Sequence, residues 1–165
     1  MSLKIVLLEP EIPQNTGNIA RTCVCTGAEL HLIKPLGFSV DEKQVKRAGL
    51  DYWDKLKLFV HESYDDFKAK YPEAKIFMAT TKARHTYADV AYDENSFIMF
   101  GKESAGIPEE ILVENEETCI RIPMSYEMRS LNLSNAVAVI LYEALRQQNF
   151  SDLQEEGQLH NYKWE

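Results

Sequence analysis

Leu3-Lys4-Ile5-Val6-Leu7-Leu8, followed by Glu9-Pro10-Glu11-Ile12-Pro13-Gln14 and then Asn15-Thr16-Gly17-Asn18-Ile19-Ala20-Arg21, decides how this chain folds. The first six residues are almost continuously apolar, as a strand covered on both faces should be; a strand with one wet face would alternate. The polar turn then gives way to a helical pattern, so a strand feeds a helix. The same reading extends outward. Leu30 to Ile33, Leu56 to Val60, Lys75 to Ala79, Phe97 to Phe100 and Cys119 to Ile122 are short runs of the same kind with helical segments among them. The fold class is α/β, with a mostly parallel sheet flanked by helices.

The first helix is expected to start near Asn15-Thr16-Gly17, where Asn or Thr can cap free amides, and to end at Gly27 in a left-handed cap. Ile19, Ala20, Cys23 and Val24 form its buried stripe, while Asn18, Arg21, Thr22 and Cys25 share the opposite face. An asparagine and an arginine thus stand beside the carboxyl end of the first strand, where ligands of open α/β sheets collect. Asp41 to Ala48 reads as a short helix carrying Lys43, Lys46 and Arg47, Asp65 to Lys70 as another, and Ala83 to Asn95 as loop. Asn132 to Gln148 is the longest helix. Its segment Ala136 to Tyr142 is apolar on all sides, which predicts a homodimer interface on this helix.

At 165 residues and 45% apolar content the chain supports one ordinary core. A single domain over residues 1–150 and a weakly ordered tail over 151–165 are expected. No run approaches the roughly 20 apolar residues of a membrane span, and Met1 to Lys4 lacks a signal-peptide pattern, which predicts a cytoplasmic protein. Cys23 and Cys25 sit two apart in a helix, facing different ways, and Cys119 sits in a strand, so no disulfide framework is expected. His31, His61, His85 and His160 are scattered, so no metal site is expected. The net charge of −8 argues against nonspecific adhesion to RNA phosphates. That acidity is local: residues 93–117 hold eight carboxylates against one lysine, whereas residues 1–92 hold 13 basic and 12 acidic groups. The remaining surface can still present a small cationic patch.

Three segments are unusual for loops of a plain α/β domain. They are Pro13 to Arg21, Phe100-Gly101-Lys102-Glu103-Ser104-Ala105-Gly106-Ile107-Pro108, and Ile122-Pro123-Met124 continuing through Arg129-Ser130-Leu131-Asn132-Leu133-Ser134-Asn135-Ala136. Each follows a strand and leads into a helix, so all three should open on one edge of a parallel sheet. Each also has a plain reading. The first is a capped helix with a solvated arginine. Gly101 and Gly106 serve turns, Glu103 complements a helix dipole, and the Ser130 to Asn135 run caps a helix. Their co-occurrence shifts the balance.

Together, in this order and spacing, the three segments resemble the three motifs of the SpoU branch of the SPOUT methyltransferases, closest to its small tRNA wobble-nucleotide 2′-O-methyltransferases. The likeness runs from Leu3 to about Asn149, and stretches such as Glu9 to Ile19 and Ser130 to Ala136 resemble that family almost letter for letter. The resemblance implies an α/β domain whose C-terminal part is threaded into a deep trefoil knot, an exception to the rule that chains avoid knots. It also implies S-adenosyl-L-methionine as methyl donor. Carried over by position, Ala79, Gly101, Ile122 and Ser130 are the expected cofactor contacts, with Met124 and Leu131 next. The implied substrate is tRNA at its anticodon stem-loop, bound by a homodimer.

The motif-one arginine, here Arg21, is the residue the resemblance assigns to catalysis. A guanidinium is a donor with no acceptor site, so it is ill suited to act as a base. The fitting role is to hold the adjacent phosphate and stabilise developing alkoxide charge, while phosphate or solvent takes the proton. Asn15 and Asn18 either position the nucleotide or cap the helix. Arg129, Lys43, Lys46, Arg47, Lys82, Arg84 and His85 are candidate RNA contacts, each also readable as part of a solvated face. Two readings within the fold compete: a SpoU-type rRNA methyltransferase, and a noncatalytic dimeric RNA-binding protein. A dinucleotide-dependent enzyme is disfavoured, because the segment after the first strand has one glycine, Gly17, where that fingerprint needs three.

Overall fold

Continuous apolar strands can be satisfied only by helices on both faces, and the computed structural model, which describes residues 2–41, 43, 47 and 52–165, has that arrangement. In chain order the elements are β1 (Lys4–Leu8), α1 (Pro13–Thr26), β2 (Glu29–Ile33), β3 (Leu58–His61), α2 (Tyr64–Lys70), β4 (Ile76–Ala79), β5 (His85–Thr86), β6 (Phe97–Phe100), α3 (Glu109–Val113), β7 (Cys119–Arg121) and α4 (Leu133–Gln147). The seven strands form one sheet in the order β3-β2-β1-β6-β4-β7-β5, and every pairing is parallel.

Alternate strand residues serve opposite layers, as the pleat requires. Ile5 and Leu7 of β1 pack with Ile19, Ala20 and Cys23 of α1 and Val137, Ile140, Leu141 and Ala144 of α4. Val6 and Leu8 face the other way, toward Phe67 of α2 and Leu112 beside Cys119. Thus α1 and α4 cover one face and α2 and α3 the other.

Most expected elements fall within two residues of their observed ends. The helix expected over 41–48 lies largely outside the described residues; Lys43 and Arg47 are exposed, and Lys46 is not described. The loop expected over 83–95 contains a two-residue strand, β5, which pairs with β7. Residues 151–165 contain no helix or strand. Within the segment 136–142 the exposed side chains of α4 are apolar, as its sequence suggests, and polar residues join them only beyond its ends. Its outward row is Asn135, Val139, Tyr142 and Arg146, of which Val139 is 38% and Tyr142 46% exposed.

Candidate active site

Strand register brings the three loops to one place. Leu7 lies opposite Phe100, Phe100 opposite Ala79, and Ala79 opposite Ile120, so β1, β6, β4 and β7 present a single row across the sheet. Just beyond that row the chain leaves each strand, at Glu9, Gly101, Thr80 and Ile122. The order of strands also reverses direction here: β2 follows β1 on one side, and β6 lies on the other. In an open parallel sheet such a switch point leaves a crevice at the strands' carboxyl ends.

Side chains tie the loops together. Glu103, after β6, accepts hydrogen bonds from the amides of Glu11 at 2.8 Å and Ile12 at 3.2 Å, and from the Asn15 side-chain amide at 3.4 Å. Glu11 returns the arrangement, accepting from the Ser104 amide at 2.9 Å and hydroxyl at 2.6 Å. Those two donors, helped by the nearby charge of Lys102, hold the Glu11 carboxyl below the usual carboxylate range. Asn132 of the third loop donates to Asn15 Oδ1 at 3.1 Å. Its own Oδ1 accepts from the Ser134 amide at 2.9 Å, which caps α4. Asn15 therefore touches both other loops.

This network corrects two expectations. The first helix starts at Pro13 and not at Asn15, because Pro13 is preorganised for the first helical position and lacks an amide that would need a partner. No side chain of the helix caps it; the acceptor for the amides before it comes from Glu103, 91 residues away. Asn15 and Asn18 both lie inside the helix and neither is a cap. Glu103 serves α1, across the rim, rather than the helix that follows it in sequence. The Gly27 cap is as expected, left-handed with φ 76°.

Gly101 is required by its own loop. A Cβ there would come within 2.0 Å of the Gly106 carbonyl carbon and 2.2 Å of the Ile107 nitrogen, because the loop folds back on itself through a Gly106 amide bond to the Lys102 carbonyl. Gly106 supplies the positive φ, +71°, that the return needs. Glu9, at φ 54°, holds the strained left-handed conformation where β1 enters the rim. Nothing in the sequence marks Glu9 as a turn residue.

The other candidate residues divide into two groups. Ala79, Ile122 and Met124 are half-buried at the rim, and Ser130 and Arg129 are exposed on the third loop; Leu131, also there, is 42% exposed. Arg21 and Asn18 are exposed on α1, and the Arg21 guanidinium lies 5.1 Å from the centre of the Tyr52 ring. Arg21 follows Asn15 by six helical positions, which sets the two side chains about 120° apart around the axis, so Arg21 is turned from the hydrogen bonds that Asn15 makes. Lys82 and Arg84 are already engaged, at 3.0 Å each, by Glu109 and Glu116. His85 lies half-buried in β5. Glu11, Ser104 and Asn132 lie within the quoted segments but are not among the candidate site residues; the signal for Glu11 was Pro13, which marks the helix start two residues after it.

Residues 2–142 match the model of the SpoU rRNA Methylase family. The chain is 56% identical over 155 residues to a Listeria innocua protein provisionally named a tRNA (cytidine(34)-2′-O)-methyltransferase, covering 92% of each. It is 49% identical over 148 residues to the tRNA (cytidine(34)-2′-O)-methyltransferase of Methylovorus glucosotrophus, covering 89% of this chain and 96% of that one. A solved structure described as giving insight into 2-OH methylation of C/U34 on tRNA superposes with a TM-score of 0.86 at 42% identity, covering 90% of this chain and 97% of that chain. The chain belongs to the SpoU methylase family.

Proposed function

We propose that this protein transfers the methyl group of S-adenosyl-L-methionine to the ribose 2′-hydroxyl of the wobble nucleotide of tRNA. The observation that carries the reading is the Glu103–Asn15–Asn132 network, which joins all three family segments at the carboxyl edge of β1, β6 and β7. The relatives named above supply the substrate class.

The residues at this rim suit the donor. Ile122 and Met124 are half-buried apolar groups and Leu131 is a partly exposed one on the same loop, candidates for a wall against a purine, with main-chain groups at the ends of β4, β6 and β7 for its edge. Carbonyl oxygens and a net-acidic protein do not oppose a cationic sulfonium. When bound, this donor supplies an electrophilic methyl group. Ala79, Gly101, Ile122, Met124, Ser130 and Leu131 are the residues that hold it on this reading, with no metal required.

Arg21 grips the phosphate next to the target sugar and stabilises charge on the ribose oxygen as its proton leaves to phosphate or solvent. Its place on the outer face of α1, turned from Asn15, suits a site shared between two copies of the chain. The exposed Val139 and Tyr142 of α4, a helix packed against α1, offer the contact for a homodimer. Arg129 and Asn18 complete the contacts to an anticodon stem-loop, a small footprint in keeping with few cations. The threading of the C-terminal segment into a trefoil knot belongs to the same reading, as do a single domain over 1–150, a tail over 151–165 and a cytoplasmic location. Among the described residues no helix is long and apolar enough to cross a membrane.

Mass-spectrometric mapping of tRNA incubated with the protein and S-adenosyl-L-methionine tests the reading. A single 2′-O-methylribose at the wobble position is the expected result. Methylation of a base, or of ribosomal RNA alone, would replace it.

A further inference from the structure

We propose that Tyr126 is a stacking platform for an unpaired base of the RNA substrate and sets a preference for looped over paired RNA; the inference rests on reading the rim as an RNA-methylation site. The Tyr126 ring stands wholly clear of the chain, at 109% relative exposure. It sits between Met124 and Ser130, on the same loop as the residues assigned to the donor.

That loop is held at both ends. One end continues from β7, and the other is fixed by Asn132, which caps α4 and donates to Asn15. At its tip a turn is closed by the Met128 amide donating to the Ser125 carbonyl at 3.2 Å, and Tyr126 is the first residue inside that turn. A tyrosine so placed has only two side-chain torsions to immobilise, so ordering it on a ligand is cheap in entropy. Met128, 65% exposed, and Leu131, 42% exposed, extend the apolar surface along the loop.

Electrostatics favour stacking over phosphate attraction here. The chain carries a net charge of −8, and Lys82 and Arg84 already face Glu109 and Glu116. What the tip can offer is a contact indifferent to charge. Every nucleobase has a π-face, and unpaired loops expose those faces whereas duplexes hide them.

The test measures binding of the full-length chain to a stem-loop RNA with an unpaired loop and to a fully paired RNA of equal length, alongside S-adenosyl-L-methionine affinity and sedimentation. Tyr126→Ala should weaken stem-loop binding about tenfold, leave paired-RNA binding and donor affinity unchanged, and sediment as the parent does. Tyr126→Phe should keep the affinity. In Tyr126→Trp the added indole's emission should be quenched by the stem-loop and not by the paired RNA. The proposal is overturned if Tyr126→Ala binds the stem-loop as the parent does, if both RNAs weaken alike, if the loss follows a changed oligomeric state, or if the parent binds neither RNA. A parent that binds the stem-loop through Tyr126 but methylates no tRNA would sink the functional reading and leave this one standing.

Discussion

Two polar clusters in this molecule do opposite jobs. At the rim, Glu11, Asn15, Glu103, Ser104 and Asn132 bond across separations of 88 to 117 residues, and their carboxylates are partly open to water. On the α2 face of the sheet, Glu29, whose side chain is 21% exposed, leads into a buried pair, His31 and His61. The carboxylate of Glu29 accepts from His31 Nε2 at 3.3 Å, so His31 Nδ1 is bare and accepts from His61 Nε2 at 3.0 Å. His61 Nδ1 is left buried without a partner among the described residues. Phe59, Phe67, Tyr71 and Phe97 ring His31. Burial pushes His31 down to about 4, with Glu29 opposing, and burial with the charge of Lys70 lowers His61 as well. Charge is tolerated at the rim and expelled from the interior, which separates groups that can serve a ligand from groups that serve the fold.

The comparison can be broken from either side. The largest effect belongs to the open side: Arg21→Ala should lower single-turnover methyl transfer by about 10²–10³-fold with donor affinity intact, and Arg21→Lys should restore little of it, because an ammonium lacks the planar fork. Near-full turnover in Arg21→Lys would remove the assigned role. The buried side should answer to acid. The folded chain takes the His31 proton only near pH 4, while the unfolded chain takes it near the ordinary imidazole value of 6.5. The stability this provides is therefore complete above pH 6.5 and lost as pH falls toward 4, on the order of 3 kcal/mol. Urea melts across that window should show the loss, and His31→Phe should flatten it; an unchanged slope would mean that the pair is not kept neutral.

Smaller effects sharpen the contrast. Glu103→Ala strips the Glu11 and Ile12 amides of their acceptor and should lower stability by roughly 2 kcal/mol in denaturant melts, with donor affinity falling too. Loss of stability without loss of donor affinity would reduce Glu103 to a plain cap. Least of all, the exposed pairs Lys82–Glu109 and Arg84–Glu116 should be nearly silent: Glu109→Gln with Glu116→Gln should shift stability by less than about 1 kcal/mol. A larger shift would show that the 80–86 loop is held by charge.

Local features were legible in the sequence and long-range ones were not. Phe97–Phe100 was readable to the residue because four consecutive apolar side chains bury on both faces. Asn132 was readable as the start of α4. The start of α1 was misplaced because its acceptor comes from Glu103, and no local pattern can announce a partner 91 residues away. The insertion of β6 between β1 and β4 is equally invisible, since strand order depends on crossovers and not on composition. β5, only His85 and Thr86, is too short for a period to register. At the site, the three segments could be named from sequence, but their junction at Asn15 and the engagement of Lys82 and Arg84 by carboxylates needed coordinates.

Hydrogen–deuterium exchange with and without S-adenosyl-L-methionine puts the shared rim to the most direct test. New protection should appear together in residues 79–82, 101–107 and 122–132, with none in the His31–His61 region. Protection confined to one of these segments, or centred elsewhere on the sheet, would contradict a donor site built jointly by the loops that Asn15 joins.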